Sequence, residues 1–173
     1  SRRCVSKGFA GMKITLNPNA ISAAEREAKV GEGGFGKYYT DHMVTIDWDE
    51  QSGWAEPELK AYGPLTLDPA TAVFHYGQEI FEGMKAYRQP DGSVALFRPE
   101  ANAQRFNRSA KRLALPELPI ETFIETVEAL VKQDIGWVPN KVGESLYIRP
   151  FMIATEVGLG VRPTNKEIGR AHV

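Results

Sequence analysis

Apolar residues recur every three or four positions in two adjacent segments, between residues 99 and 135. The first segment, PEANAQRFNRSAKRL, repeats Ala103, Phe106, Ala110 and Leu113 at this spacing. The second, LPIETFIETVEALVKQDI, has a longer set: Ile120, Phe123, Ile124, Val127, Leu130 and Val131. Because an α-helix has 3.6 residues per turn, each set falls on one helical face. The pattern predicts two amphipathic helices that pack on a shared core.

Other segments have the alternation of apolar and polar residues, or the β-branched and aromatic composition, that is typical of strands. They are HMVTIDW, AEPELKAYG, TAVFHY and SLYIRPFMIATEVGLGV. Pro57 in the second segment cannot donate to a sheet ladder, which predicts an edge strand there. Two further runs, FEGMKAYR and SVALFR, flank QPDG, whose Pro and Gly suit a tight turn. These two runs predict a β-hairpin.

The order of the elements is strands, then two helices, then a returning strand. It predicts an α+β fold with one antiparallel or mixed sheet and two helices packed against it. Before them, ISAAEREAK predicts a short helix with Ser22 as its N-cap. Met12 begins a start-like MKITLNPNA, and NKEIGRAHV at the other end has no periodicity. We therefore expect a non-native lead, a flexible N-terminal extension, a small α+β domain and a non-native tail, at residues 1–11, 12–40, 41–164 and 165–173.

The composition narrows the possible classes of function. The 173 residues contain 21 Lys and Arg against 22 Asp and Glu, a formal net charge of −1. Such a balance draws the chain neither to nucleic acid nor to anionic lipid, so we expect neither partner. The single cysteine, Cys4, allows no internal disulfide and fits a reducing compartment, for which we expect the cytoplasm. The histidines lack the spacing of metal ligands: His42, His75 and His172.

Aromatic and charged residues are mixed in FHYGQEIFEGMKAY, residues 74–87. A surface turn needs Gly, Asn, Asp, Ser or Pro and does not need aromatics. This composition indicates the wall of a binding site. Two interpretations of Tyr76 and Phe81 are open: they line an apolar pocket, or they are core aromatics of adjoining strands.

Arginines at two places are candidates for binding an anion. Arg105, Arg108 and Arg112 share a face of the first predicted helix, and the planar guanidinium suits phosphate or carboxylate. The alternative is a solvated face beside the apolar one.

The second place is SLYIRP, where Tyr147 and Arg149 project from the same side of a strand. A charge among apolar residues needs a partner. The candidates for Arg149 are a ligand carboxylate or one of three side chains: Glu79, Glu82 and Glu156.

Four segments in this order resemble the N-terminal part of a branched-chain amino acid aminotransferase, a pyridoxal 5′-phosphate enzyme of fold type IV. They are FGKYYTDHMVTIDW, YGPLTLDPATAVFHYGQEIFEGMKAYR, FRPEANAQRFNRSAKRLALP and SLYIRPFMIATEVGLGV. The resemblance implies the small domain of that fold and, when the protein is intact, a homodimer. It also implies transfer of the amino group of leucine, isoleucine or valine to 2-oxoglutarate.

The resemblance implies roles for individual residues. Arg105 matches the arginine that holds the cofactor phosphate. The positions that match substrate-pocket residues are Tyr76, Phe81, Tyr147, Arg149, Leu159 and Val161. Of these, Leu159 and Val161 match a loop that reaches the partner subunit's active site.

The family's Schiff-base lysine matches none of the lysines in this sequence. We therefore identify no catalytic residue and expect the chain alone to be inactive. One alternative is another fold type IV enzyme, a D-amino acid aminotransferase or an aminodeoxychorismate lyase. The other is a non-enzymatic binding or interaction domain.

Overall fold

The computed structural model describes residues 2–5 and 11–160, and the backbone of residues 166–167. The helices of these residues are α1 (Ala23–Glu32), α2 (Ala72–Tyr76), α3 (Pro99–Arg112), α4 (Ile120–Gln133) and a 3-10 helix, Ile135–Trp137. The strands are β1 (Arg2–Cys4), β2 (Lys13–Ile14), β3 (His42–Thr45), β4 (Trp48–Asp49), β5 (Gly53–Trp54), β6 (Glu58–Ala61), β7 (Glu79–Phe81), β8 (Met84–Arg88), β9 (Val94–Phe97), β10 (Leu146–Ile148), β11 (Phe151–Ile153) and β12 (Lys166–Glu167).

The strands form several small sheets rather than the single sheet that we expect from the element order. β1, β9, β8 and β10 lie side by side, each antiparallel to its neighbour. β11 pairs with β7, β6 lies between β2 and β3, and β4 lies between β12 and β5. The mixture of helices with antiparallel and mixed sheets confirms the α+β class.

Helices α3 and α4 pack against each other, as the periodicity predicts. The rings of Phe106 in α3 and Phe123 in α4 lie with their centroids 5.4 Å apart. The predicted apolar face of α4 is buried except for Ile120, which is half-buried. Leu113 is 40% exposed, because α3 ends one residue earlier.

The prediction of a strand in TAVFHY is wrong, because these residues form α2. The amides of Ala72 and Val73, in its first turn, donate to the carbonyls of Glu156 and Ala154 at 2.8 Å and 3.1 Å. Gly77 then ends the helix in the left-handed conformation, at φ 61° and ψ 28°. Strand propensity depends on context, and these contacts with the segment after β11 override it.

The prediction of an edge strand at Pro57 is also wrong, because β6 has a neighbour on each side. β2 pairs with it in parallel and β3 in antiparallel. Pro57 lies just before β6, so its missing N–H removes no donor from the ladder. The run SLYIRPFMIA is divided at Arg149 and Pro150, with β10 paired to β8 and β11 paired to β7.

The hairpin and the N-cap predictions are confirmed. β8 and β9 pair in antiparallel register, and Gly92 in the turn between them has φ 82°, which favours glycine. The Ser22 hydroxyl accepts the N–H of Glu25 at 3.2 Å.

Hydrogen bonds attach residues that precede β3 to the rest of the fold around His42, which is buried in β3. The Nε2 atom of His42 accepts the backbone N–H of Asn17 at 2.9 Å, so its Nδ1 carries the proton and donates to Asp134 Oδ1 at 2.7 Å. The Trp137 Nε1–H donates to Asp41 Oδ2 at 2.8 Å. These bonds join Asn17, β3 with the preceding Asp41, and the end of α4 with the 3-10 helix that follows it.

Residues near the start of the chain also contact the domain. β1 pairs with β9, and Arg3 Nε lies 2.6 Å from Oε1 of the buried Glu128. Burial raises the pKa of Glu128, and the nearby charge of Arg3 opposes the rise. The assignments of a lead, an extension, a domain and a tail stay predictions.

Candidate ligand-binding site

The end of β7 carries a carboxylate at an inward position. Glu79 and Phe81 are exposed and Ile80 is buried, which is the alternation of a strand with one solvated face. The alternation continues to Glu82, which is 3% exposed. Its backbone N–H donates to the carbonyl of Pro150 at 2.8 Å. A carboxylate in that position needs a partner, because its charge is shielded from water.

Arg105 and Asn102 of α3 are the partners of Glu82. They are three residues apart and therefore share a helical face. Arg105 donates through Nε to Glu82 Oε1 and through Nη2 to Glu82 Oε2, each at 2.7 Å. Asn102 Nδ2 donates to the same Oε2 at 3.0 Å. Two parallel bonds fix the plane of the guanidinium.

The electrostatics of this group favour ionised side chains. Burial by itself raises the pKa of Glu82, but the bonds from Arg105 and Asn102 outweigh burial and hold that pKa below its ordinary value. The bond to Glu82 raises the pKa of Arg105.

A guanidinium has five N–H groups, of which Glu82 takes two of those on Arg105. Within the described residues the other N–H groups of Arg105 have no partner, and its side chain is 59% exposed. Arg105 therefore presents a fixed, open edge to an anion.

Arg149 occupies the junction between β10 and β11. Its Nε and Nη2 donate to the Tyr147 hydroxyl at 3.0 Å and 2.6 Å. Its guanidinium carbon lies 4.3 Å from the centroid of the Phe81 ring, a cation–π contact. In the described part of the chain no carboxylate pairs with Arg149, so the structure does not show the alternative of an ion pair with Glu79, Glu82 or Glu156 there.

Gly83 contacts both the group of Glu82, Asn102 and Arg105 and the pair of Tyr147 and Arg149. Its carbonyl accepts a bond from Asn102 Nδ2 at 3.2 Å. A Cβ built on Gly83 would lie only 2.6 Å from the Tyr147 hydroxyl. The absence of a side chain at Gly83 therefore lets Tyr147 reach the position from which it holds Arg149.

Phe35, in the N-terminal extension, was not among the predicted site residues. Its ring meets that of Tyr147 edge to face, with centroids 4.9 Å apart, and Phe35 is 79% exposed. A large aromatic residue in a Gly-rich segment was the available sequence signal.

Tyr76 and Phe81 are surface residues, 45% and 62% exposed, so the interpretation as core aromatics is wrong. The Tyr76 hydroxyl donates to the carbonyl of Leu159 at 2.5 Å, within one chain. Leu159 is exposed as well. Val161 lies outside the described residues. The assigned roles of these residues stay predictions.

The arginine row of α3 divides into two kinds of residue. Arg105 is held by Glu82, whereas Arg108 and Arg112 are exposed and have no partner among the described residues. The structure therefore does not show the three arginines converging on one anion. The sequence did contain the signal for Glu82, a glutamate at an inward position of a strand, but not the identity of its partner.

Other classes of site find no support in the residues that the structure describes. No group of three or more His, Cys, Asp or Glu side chains there could hold a metal ion. His75 lies in α2 and not in a predicted strand, and hydrogen-bonds the carbonyl of Pro69 at 2.8 Å. Among the described helices, none has the length and apolar character needed to cross a membrane.

No protein-family profile matches the chain, but curated relatives do. A "Probable branched-chain-amino-acid aminotransferase" of Streptomyces coelicolor is 62% identical over 156 residues, which are 88% of this chain and 43% of the relative. The "Branched-chain-amino-acid aminotransferase" of Mycolicibacterium smegmatis is 57% identical over 154 residues, covering 88% of this chain and 42% of the relative. The chain thus spans less than half the length of the curated relatives that it matches.

Solved structures have the same fold. A T.th. branched-chain amino acid aminotransferase complexed with N-(5′-phosphopyridoxyl)-L-glutamate is 25% identical, with a TM-score of 0.55 over 78% of this chain and 42% of that one. The branched-chain amino acid aminotransferase from Escherichia coli is 24% identical, with a TM-score of 0.54 over 75% and 41%. Over the residues that it contains, the chain is therefore similar to the N-terminal portion of branched-chain-amino-acid aminotransferases and shares their fold.

Proposed function

We propose that the complete protein containing this chain is a branched-chain-amino-acid transaminase that uses pyridoxal 5′-phosphate. It transfers the amino group of leucine, isoleucine or valine to 2-oxoglutarate and works as a homodimer in the cytoplasm. The observation that carries the proposal is the open edge of Arg105, oriented by Glu82 and adjacent through Gly83 to the Tyr147–Arg149 pair. The identity to named aminotransferases agrees with it.

The residues present fit a phosphate-bearing cofactor. Arg105 keeps three N–H groups for an anion after its two bonds to Glu82. A planar guanidinium donates two parallel bonds to phosphate oxygens, which fixes the bound group as well as attracting it. Pyridoxal 5′-phosphate, when bound, supplies an electron sink for the α-carbon of the amino acid.

The other arginine suits the second substrate. Arg149 is oriented by the Tyr147 hydroxyl and by the face of Phe81, and its charge has no carboxylate partner among the described residues. A dicarboxylate such as 2-oxoglutarate brings a carboxylate that it can bind.

The exposed aromatic side chains of this region complete the proposed pocket. Phe35, Tyr76 and Phe81 present apolar surface, and an aliphatic amino-acid side chain gains free energy when it covers such surface. One pocket then accepts an aliphatic or an acidic side chain.

The direct test is an assay of a complete coding sequence that contains these 173 residues. We expect amino transfer from leucine to 2-oxoglutarate and none from D-alanine. Turnover of D-alanine or of aminodeoxychorismate without turnover of leucine would contradict the proposal. The 173-residue chain alone is expected to show no turnover, because no lysine in it matches the cofactor lysine of the family.

A matched pair of variants tests the role of Arg105. Arg105→Ala in the complete protein should raise the dissociation constant of the cofactor more than about tenfold, since it removes a charged hydrogen-bond donor. Arg108→Ala removes an exposed arginine of the same helix and should leave that constant unchanged. Equal effects of the two substitutions would refute a specific role for Arg105.

A further inference from the structure

We propose that Glu82 is a positioning residue: it holds Arg105 by the Nε–Nη2 edge so that the remaining N–H groups meet the phosphate in one fixed orientation. The inference rests on the proposed function. It concerns a residue of this chain to which the resemblance assigns no role.

The first support is the contrast in exposure across the pair. The Glu82 side chain is 3% exposed and that of Arg105 is 59% exposed. A buried carboxylate has little freedom, whereas an exposed arginine on a helix surface has many rotamers. The two 2.7 Å bonds to the buried Glu82 therefore restrict the Arg105 side chain, which would otherwise sample many rotamers.

The second support is the way in which Glu82 is itself held. Asn102 donates to Glu82 Oε2 at 3.0 Å and to the Gly83 carbonyl at 3.2 Å, so it ties the carboxylate to the backbone after β7. The Glu82 amide donates to the Pro150 carbonyl at 2.8 Å. Side chain and backbone are both fixed before any ligand arrives.

The third point is electrostatic. The negative charge of Glu82 opposes anion binding, so Glu82 can favour binding only through the orientation that it gives to Arg105. A carboxylate beside a phosphate site repels the phosphate, and an arginine paired with a carboxylate attracts it less strongly. Orientation of Arg105 is the benefit that offsets this repulsion. The two effects predict opposite signs when Glu82 is neutralised, and this difference makes the inference testable.

The test is a titration of the 173-residue chain with inorganic phosphate, followed by NMR at the Nε–H signal of Arg105. Arg105→Lys identifies that signal by removing it. In Glu82→Gln we expect faster hydrogen exchange at this Nε–H and a phosphate affinity about fivefold weaker. Neutralising the charge alone would instead strengthen phosphate binding.

Glu79→Gln is the matched control, because it removes an exposed carboxylate from β7, three residues before Glu82, without touching Arg105. It should not weaken phosphate binding. If Glu82→Gln lowers the melting temperature too far for the titration, Asn102→Ala replaces it. That variant removes one bond to Glu82, keeps the charge, and should weaken phosphate binding about twofold.

The outcomes separate the two proposals. Unchanged or stronger phosphate binding in Glu82→Gln, with loss of binding in Arg105→Lys, overturns the positioning role and leaves the proposed function standing. A wild-type Arg105 signal that does not respond to phosphate overturns the phosphate role of Arg105 and the positioning role with it. Weaker binding in Glu82→Gln but not in Glu79→Gln supports both.

Discussion

Replacing Gly83 by alanine should disturb the site through a single contact. The new Cβ would lie 2.6 Å from the Tyr147 hydroxyl oxygen and 3.3 Å from two atoms of its ring. The hydroxyl must therefore move by roughly 0.8 Å to restore an ordinary contact. It accepts both hydrogen bonds that Arg149 donates, at 2.6 Å and 3.0 Å. The displacement lengthens those bonds and loosens Arg149.

The expected loss in the free energy of unfolding is about 1–3 kcal/mol, the usual cost of inserting a methyl group into a close contact. We expect the lower part of that range because Tyr147 and Arg149 are half-buried and can partly relax. The contact atom is the end of a side chain, which moves more easily than backbone.

Urea unfolding of a small set of variants measures the effect. Gly63→Ala is the control, because a Cβ there meets nothing within 4 Å and φ is not positive; it should be neutral or slightly stabilising. The set is completed by Gly83→Ala in a Tyr147→Phe background. There the closest contact no longer exists, so the cost of Gly83→Ala should fall by about 0.5 kcal/mol or more. An equal cost in both backgrounds would refute the contact as the cause.

Three further expectations follow from the described contacts. His42→Ala should lower the free energy of unfolding by about 2–4 kcal/mol in urea titrations, because it removes both ring hydrogen bonds of a buried histidine and leaves a cavity. A loss below about 1 kcal/mol would contradict this. Gly136→Ala places a Cβ 2.5 Å from Nε of Arg26, a residue of α1, and should speed hydrogen exchange in that helix because Arg26 must move. Gly31→Ala meets no atom within 4 Å and should slow exchange in α1, because alanine favours a helix more than glycine does. Equal exchange rates in the two variants would show that the contact with Arg26 has no effect. The lowered pKa of Glu82 adds stability that is complete above its unfolded value of about 4.5 and is lost as the pH falls below it. Glu82→Gln should therefore flatten stability against pH in acid unfolding curves, and an unchanged curve would argue against the shift.

The elements that were predicted correctly are those specified by neighbours in the chain. α3 and α4 follow from apolar residues at helical spacing, and the β8–β9 hairpin follows from QPDG. TAVFHY was misread because its strand propensity is weaker than the hydrogen bonds that α2 makes with the segment after β11. Nothing within those six residues indicates that their backbone amides meet Glu156 and Ala154.

In the candidate site, too, the sequence indicated some features and only the tertiary structure showed the others. The resemblance selected Arg105, Tyr147 and Arg149 from the sequence, and the inward position of Glu82 could be read from strand alternation. Only the tertiary structure showed that Glu82 pairs with Arg105, 23 positions away in the sequence, and that Arg149 contacts Tyr147 and Phe81.

By itself the sequence determined α1, α3 and α4, the hairpin and the chemical types available to a site. Which charges neutralise each other was decided by the packing of α3 against the end of β7. Local patterns depend on the next few residues, whereas an ion pair depends on where distant segments meet in space.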